Sequence, residues 1–113
     1  KINTTSFLIN YIDQSSKYQV IGAGVLDGNG HSTWSRGRDL ILNDTYDDAE
    51  GFRHLMFYDV NSSNIIPIGK FFSSYNNCVY RADLHPRFSI NEKFVVIDSA
   101  HESKRKILVI KVK

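Results

Sequence analysis

The sequence predicts an all-β fold, and three observations carry that prediction. Val, Ile, Phe and Tyr dominate the apolar residues, and these types pack best on a pleated, half-buried surface. No segment spaces its apolar residues at the helical period of about 3.6; short apolar runs alternate instead with polar turns. The chain also repeats itself. The stretch 84–99 (Leu-His-Pro-Arg-Phe-Ser-Ile-Asn-Glu-Lys-Phe-Val-Val-Ile-Asp-Ser) aligns without a gap on 31–45 (His-Ser-Thr-Trp-Ser-Arg-Gly-Arg-Asp-Leu-Ile-Leu-Asn-Asp-Thr). His85 falls on His31, Phe88 on Trp34, Ser89 on Ser35 and Asp98 on Asp44. Self-similarity at a fixed spacing of this size marks a repeat architecture.

In chain order, residues 6–12 and 18–23 read as a hairpin around the polar turn 13–17. The glycine-rich turn 26–30 leads into His31, and Gly28 and Gly30 suit a sharp reversal there. A short strand over 31–35, a turn at 36–38 and a longer strand over 39–45 follow. A charged hairpin tip at 47–53 precedes strands over 55–60 and 64–71. Residues 72–83 form a longer connection carrying Tyr75, Cys78 and Tyr80, and such connections often carry function. Strands over 85–89, 93–99 and 106–112 close the chain.

Four antiparallel strands in succession make one propeller blade. The chain then reads as the last two strands of one blade (1–24), a complete blade (31–71) and the first three strands of another (84–113). Propellers have roughly 4–8 blades, so about two and a half blades are expected to be a fragment of a larger β-propeller. Their open sheet edges call for the rest of the propeller or another chain. The competing architecture is a small all-β sandwich.

Composition narrows the function. The chain has 113 residues and a net charge of +2, too small an excess to imply nucleic acid or an anionic membrane as partner. No apolar run reaches the roughly 20 residues needed to span a bilayer as a helix. The single cysteine, Cys78, excludes an internal disulfide, which rules out a disulfide-built secreted module but leaves the compartment open; the expectation is a cytoplasmic rather than a periplasmic location. Cys78 has no CxxC partner, and no Ser-His-Asp order, P-loop or GxGxxG motif is present.

The chemistry concentrates near the repeats. His31 and His85 open equivalent innermost strands, and Asp83 lies two residues before His85, on the same side of an extended chain. Imidazoles with a carboxylate suit Mn, Fe or Zn, which makes His31, Asp83 and His85 a candidate set for a divalent metal. In the competing reading each histidine caps its own turn. Arg81 and Arg87 flank His85, and a guanidinium forks onto a carboxylate. With Tyr80 they form a candidate binding set for an acidic sugar; the alternative is ion pairing with Asp83 or Glu92. Asp44 and Asp98 end equivalent strands and are read as acceptors for backbone N–H groups.

The blade-opening turns His31-Ser32-Thr33-Trp34-Ser35-Arg36-Gly37-Arg38 and His85-Pro86-Arg87-Phe88-Ser89-Ile90-Asn91-Glu92-Lys93 resemble those of TolB-like and WD40-like (PD40) β-propellers. That family opens its blades with P-x-W/F-S-P-D-G-K, and both copies here depart at the Pro-Asp-Gly core. Gly30-His31, His85-Pro86-Arg87-Phe88-Ser89 and Asp98-Ser99 more narrowly resemble the C-terminal blades of bacterial oligogalacturonate lyase-like propellers. The resemblance implies a Mn-like metal held partly by these histidines, neutralising a uronate carboxylate during β-elimination. In those lyases a further histidine and a glutamine complete the site; here Asp83 stands at the histidine position, with Tyr80 and Arg81 near the glutamine position. The family's base comes from an earlier blade, so no catalytic residue is assigned and the chain alone is expected to be inactive. A non-catalytic propeller scaffold for protein or ligand binding is the alternative function.

Overall fold

The runs Leu40-Ile41-Leu42 and Leu55-Met56-Phe57-Tyr58 are apolar at successive positions, so their strands present hydrophobic side chains to both sheet faces and need cover on both. The computed structural model, which describes residues 8–26, 28–73, 81–102 and 104–113, supplies that cover. Strands β1 (Leu8–Tyr11) and β2 (Tyr18–Ile21) form a two-stranded sheet. The next four, β3 (Ser32–Trp34), β4 (Leu40–Asp44), β5 (Phe52–Asp59) and β6 (Asn64–Phe72), form a second in sequential order, and β7 (Arg87–Phe88), β8 (Phe94–Ser99) and β9 (Lys106–Lys111) a third. All pairings are antiparallel, and the described residues contain no helix. The fold is all-β.

The middle sheet lies between two cores. On one face Ile41, Met56 and Tyr58 pack with Ile21 and Leu26, joined by the half-buried Leu8 and Trp34. On the other face Leu42, Leu55 and Phe57 pack with Leu84, Val95 and Ile97 of the third sheet's segment. Trp34 and Phe88 each turn toward the sheet that precedes their own. Phe88 lies nearly parallel to Phe57, with ring centroids 6.0 Å apart and an interplanar angle of 13°.

Both repeat copies build the same turn. The Ser35 amide donates to the Leu40 carbonyl at 2.9 Å and the Ser89 amide to the Phe94 carbonyl at 2.9 Å. Each serine hydroxyl accepts the N–H of the residue that opens the following strand, Leu40 or Phe94, both at 3.1 Å. Arg38 and Glu92 occupy the left-handed region at φ 56° and 57°, the position that the resembled turn gives to glycine. Side-chain acceptors, Asp39 for Ser35 and Asn91 for Ser89, stabilise a backbone that L-residues adopt only at a cost.

The strands are shorter than the sequence indicates at the opening of both repeat copies: β3 covers Ser32–Trp34 and β7 only Arg87–Phe88. His31 and His85 therefore stand just before their strands. The larger departure is at β5, which starts at Phe52 and takes in Arg53, assigned by sequence to a charged hairpin tip. Phe52 pairs with Phe72 and Arg53 with Phe71, so the ladder runs further than the charges suggest. Residues 74–80 of the long connection, with Tyr75, Cys78 and Tyr80, lie outside the described residues.

Leu42 and Ile97 are fully buried, whereas Ile107 on β9 is 68 % exposed. Leu42→Ala and Ile97→Ala are each expected to cost about 2–5 kcal/mol, and Ile107→Ala to stay within about 0.5 kcal/mol. Urea denaturation of the three variants measures this.

Candidate functional site

The site forms where the middle and third sheets meet at the ends of their opening strands. β4 ends at Asp44 and its carboxylate is buried, 1 % exposed. One oxygen accepts the backbone N–H of His31 and the other that of His85, at 3.2 Å. The carboxylate also meets the His31 ring, with Nδ1 3.1 Å and 3.2 Å from the two oxygens. Asp44 thus accepts backbone N–H groups, as the sequence suggests, from both repeat copies at once.

Two local features let the chain come this close. Gly30 lies against the Asp44 backbone so tightly that a Cβ there would overlap the Asp44 carbonyl oxygen. His85 sits in the left-handed region at φ 43°, a strained position for a non-glycine residue that costs on the order of 1–3 kcal/mol. The hydrogen bond from its amide to Asp44 holds that conformation. The result is a tilted stack of the two imidazoles, with centroids 4.0 Å apart. The Tyr46 ring meets His31 edge-on at 5.8 Å.

Asp83 completes the cluster. Candidate ligand atoms of His31, Asp83 and His85 lie within 4.8 Å of one another. Asp83 is itself fixed by two guanidiniums. Arg53 Nη1 donates to Oδ1 from a side chain 1 % exposed, and Arg81 grips both oxygens through Nε at 3.0 Å and Nη2 at 3.1 Å. Burial works against the charged carboxylate, but the Arg81 hydrogen bond and the charges of Arg53 and Arg81 outweigh it and hold Asp83 below the usual carboxylate value. Arg53 Nη2 also lies 3.6 Å from Asp47. Its Nε and Nη2 have no hydrogen-bond partner among the described residues. The Arg81 guanidinium in turn lies over the Tyr46 ring at 5.1 Å.

Of the residues singled out by sequence, His31, Asp83 and His85 come together, and Arg81 stands at their rim. Arg87 is turned aside: its guanidinium donates to the His85 carbonyl at 2.9 Å and to Asp98 at 3.2 Å. Glu92, the other expected ion-pair partner, accepts the Arg36 amide. Tyr80 lies outside the described residues. Sequence reasoning passed over Tyr46 and Arg53 as site residues. The available signal was the polar run Asp44-Thr45-Tyr46-Asp47 directly behind an apolar strand, facing an arginine that opens the next apolar run.

The three carboxylates Asp44, Asp47 and Asp83 outnumber the two guanidiniums, so with neutral imidazoles the cluster carries a formal charge of −1 from these groups (−3 + 2). That balance, and a donor set of two imidazoles and a carboxylate, fit a divalent cation of borderline softness. Compared with known proteins, the chain matches no family model, no curated protein and no solved structure.

Two measurements check this geometry. Gly30→Ala forces Asp44 and His31 apart; it is expected to lower the melting temperature by at least about 5 °C and to shift the His31 and Asp44 amide resonances while leaving those of β9 in place. Beside the site, His54 Nε2 lies 2.7 Å from Asp48. That bond, with the Phe52 and Glu50 amides, lowers the Asp48 carboxyl from 3.8 to about 2. A depressed folded-state value stabilises the fold above the unfolded value, and this contribution is lost as pH falls from about 4 toward 2. NMR titration is expected to place the Asp48 midpoint near about 2, and His54→Ala to return it toward 3.8.

Proposed function

We propose that this chain carries the metal-holding part of a carbohydrate-directed β-propeller resembling oligogalacturonate lyase, acting by β-elimination on uronate-containing oligosaccharides. The observation that carries the reading is the convergence of His31, Asp83 and His85 from the openings of two repeat copies, with buried groups, Asp44 and Arg53, fixing their orientation. His31, His85 and Asp83 are the residues that would hold a Mn-like divalent ion. Bound there, it would supply Lewis-acid stabilisation to the negative charge that develops on a uronate carboxylate. Arg81 lies at the rim, and its N–H donors not engaged by Asp83 have no described partner. They offer a second positive contact for the same carboxylate.

In the reaction a base removes the proton α to the carboxylate, the β C–O bond breaks, a carbon–carbon double bond forms and the departing oxygen takes a proton. None of the described residues is assigned as that base. The two-, four- and three-stranded sheets support a reading as consecutive blades. The apolar side chains exposed on β9, Ile107 and Val109, support further blades or another chain as cover.

One observation favours a second reading, a non-catalytic propeller scaffold. Asp83 is already engaged by two guanidiniums, which suits a polar latch between sheets as well as a ligand set. Titration of the purified chain with Mn²⁺ or Co²⁺ separates the two. The metal reading expects one equivalent to bind and His85→Ala to abolish binding. No binding by the unmodified chain, or binding unaffected by His85→Ala, favours the scaffold.

A further inference from the structure

Asp44 is buried, yet among the described residues every hydrogen bond its carboxylate makes goes to the two histidines of the cluster. Each oxygen accepts a backbone N–H, one from His31 and one from His85. An ionised carboxylate only accepts, which assigns the donor role to Nδ1 of the His31 ring, 3.1 Å away. We propose that Asp44 is the positioning residue of this site: it locks His31 in the tautomer protonated on Nδ1, so that Nε2 carries the lone pair available to a ligand.

A ligating imidazole needs its other nitrogen held, because the tautomer and ring orientation otherwise remain free; a carboxylate on that nitrogen also raises ligand basicity. Asp44 does more than this for one ring. Through the His85 amide it also holds the strained backbone at φ 43° that brings the second imidazole to 4.0 Å from the first. One carboxylate thereby sets the relative placement of two side chains from different sheets. Among the described residues its repeat counterpart Asp98 is instead paired with Arg87 at 3.2 Å.

Only the use made of Nε2 rests on the metal reading; the tautomer stands on the Asp44–His31 geometry. The test uses the whole ¹⁵N-labelled chain, first without metal and at alkaline pH, where long-range ¹H–¹⁵N correlation separates the two imidazole tautomers. His31 is expected as the Nδ1–H form. Asp44→Asn is expected to lose that preference at His31 while leaving His54 unchanged, and Asp98→Asn to change neither. In the second arm Asp44→Asn is expected to weaken Co²⁺ binding by about 10–100-fold, with Asp98→Asn binding as the unmodified chain does. An Nε2–H form of His31 in the unmodified chain overturns the proposal. So does an Asp44→Asn variant that keeps both the Nδ1–H form and the Co²⁺ affinity. If circular dichroism shows Asp44→Asn unfolded, the tautomer in the unmodified chain decides by itself. If the unmodified chain binds no Co²⁺, the metal reading falls and the tautomer result still decides the role of Asp44.

Discussion

The middle sheet is apolar on both faces, and the rest of the structure follows from covering it. β4 and β5 bury Ile41, Met56 and Tyr58 one way and Leu42, Leu55 and Phe57 the other. A sheet patterned this way cannot stand as an outer layer, since either face left to water would expose a continuous apolar surface. It draws a sheet onto each side. The ends of its strands then fall at a seam between sheets, where polar backbone and charged side chains leave water together and must find partners. Asp44 at the end of β4 and Arg53 near the start of β5 are the groups that meet there, and both are 1 % exposed.

Those two residues explain why the cluster has a defined geometry. A buried charge is tolerated when it is paired and hydrogen-bonded, and removing its partner costs more than the pair contributes. Arg53 answers Asp83, and Asp44 answers N–H groups of both histidines. Each ligand candidate is thus tied to a group that cannot relax into solvent. The strained backbone of His85 persists for the same reason: its amide is bonded to the buried Asp44, next to Leu84 in the core.

Much of this was legible in the sequence. The repeat predicted the paired turns at Ser35 and Ser89, because a serine closing onto the residue five ahead is a local arrangement written in local residues. Pairing His31 with His85 needed only the repeat register; Asp83 follows from its nearness in sequence, although His85 is not extended but left-handed at φ 43°. By sequence Arg53 falls in a charged hairpin tip, since a charged residue beside Asp47, Asp48 and Glu50 looks solvated until its partner is known; the structure places it in β5. For Arg87 the sequence offers either a sugar contact or an ion pair with Asp83 or Glu92, and the structure pairs it with Asp98 across the β7–β8 pair.

The sequence by itself determined the β class, the repeat and the identities of the candidate ligands, because periodicity and turn chemistry act over a few residues. Tertiary structure decided what orients them. Arg53 meets Asp83 across 30 positions and Asp44 meets the His85 amide across 41, separations at which no local pattern carries information. Both contacts exist only because sheets buried on facing sides bring those strand ends together, and burial is what makes each contact strong enough to fix the geometry of the site.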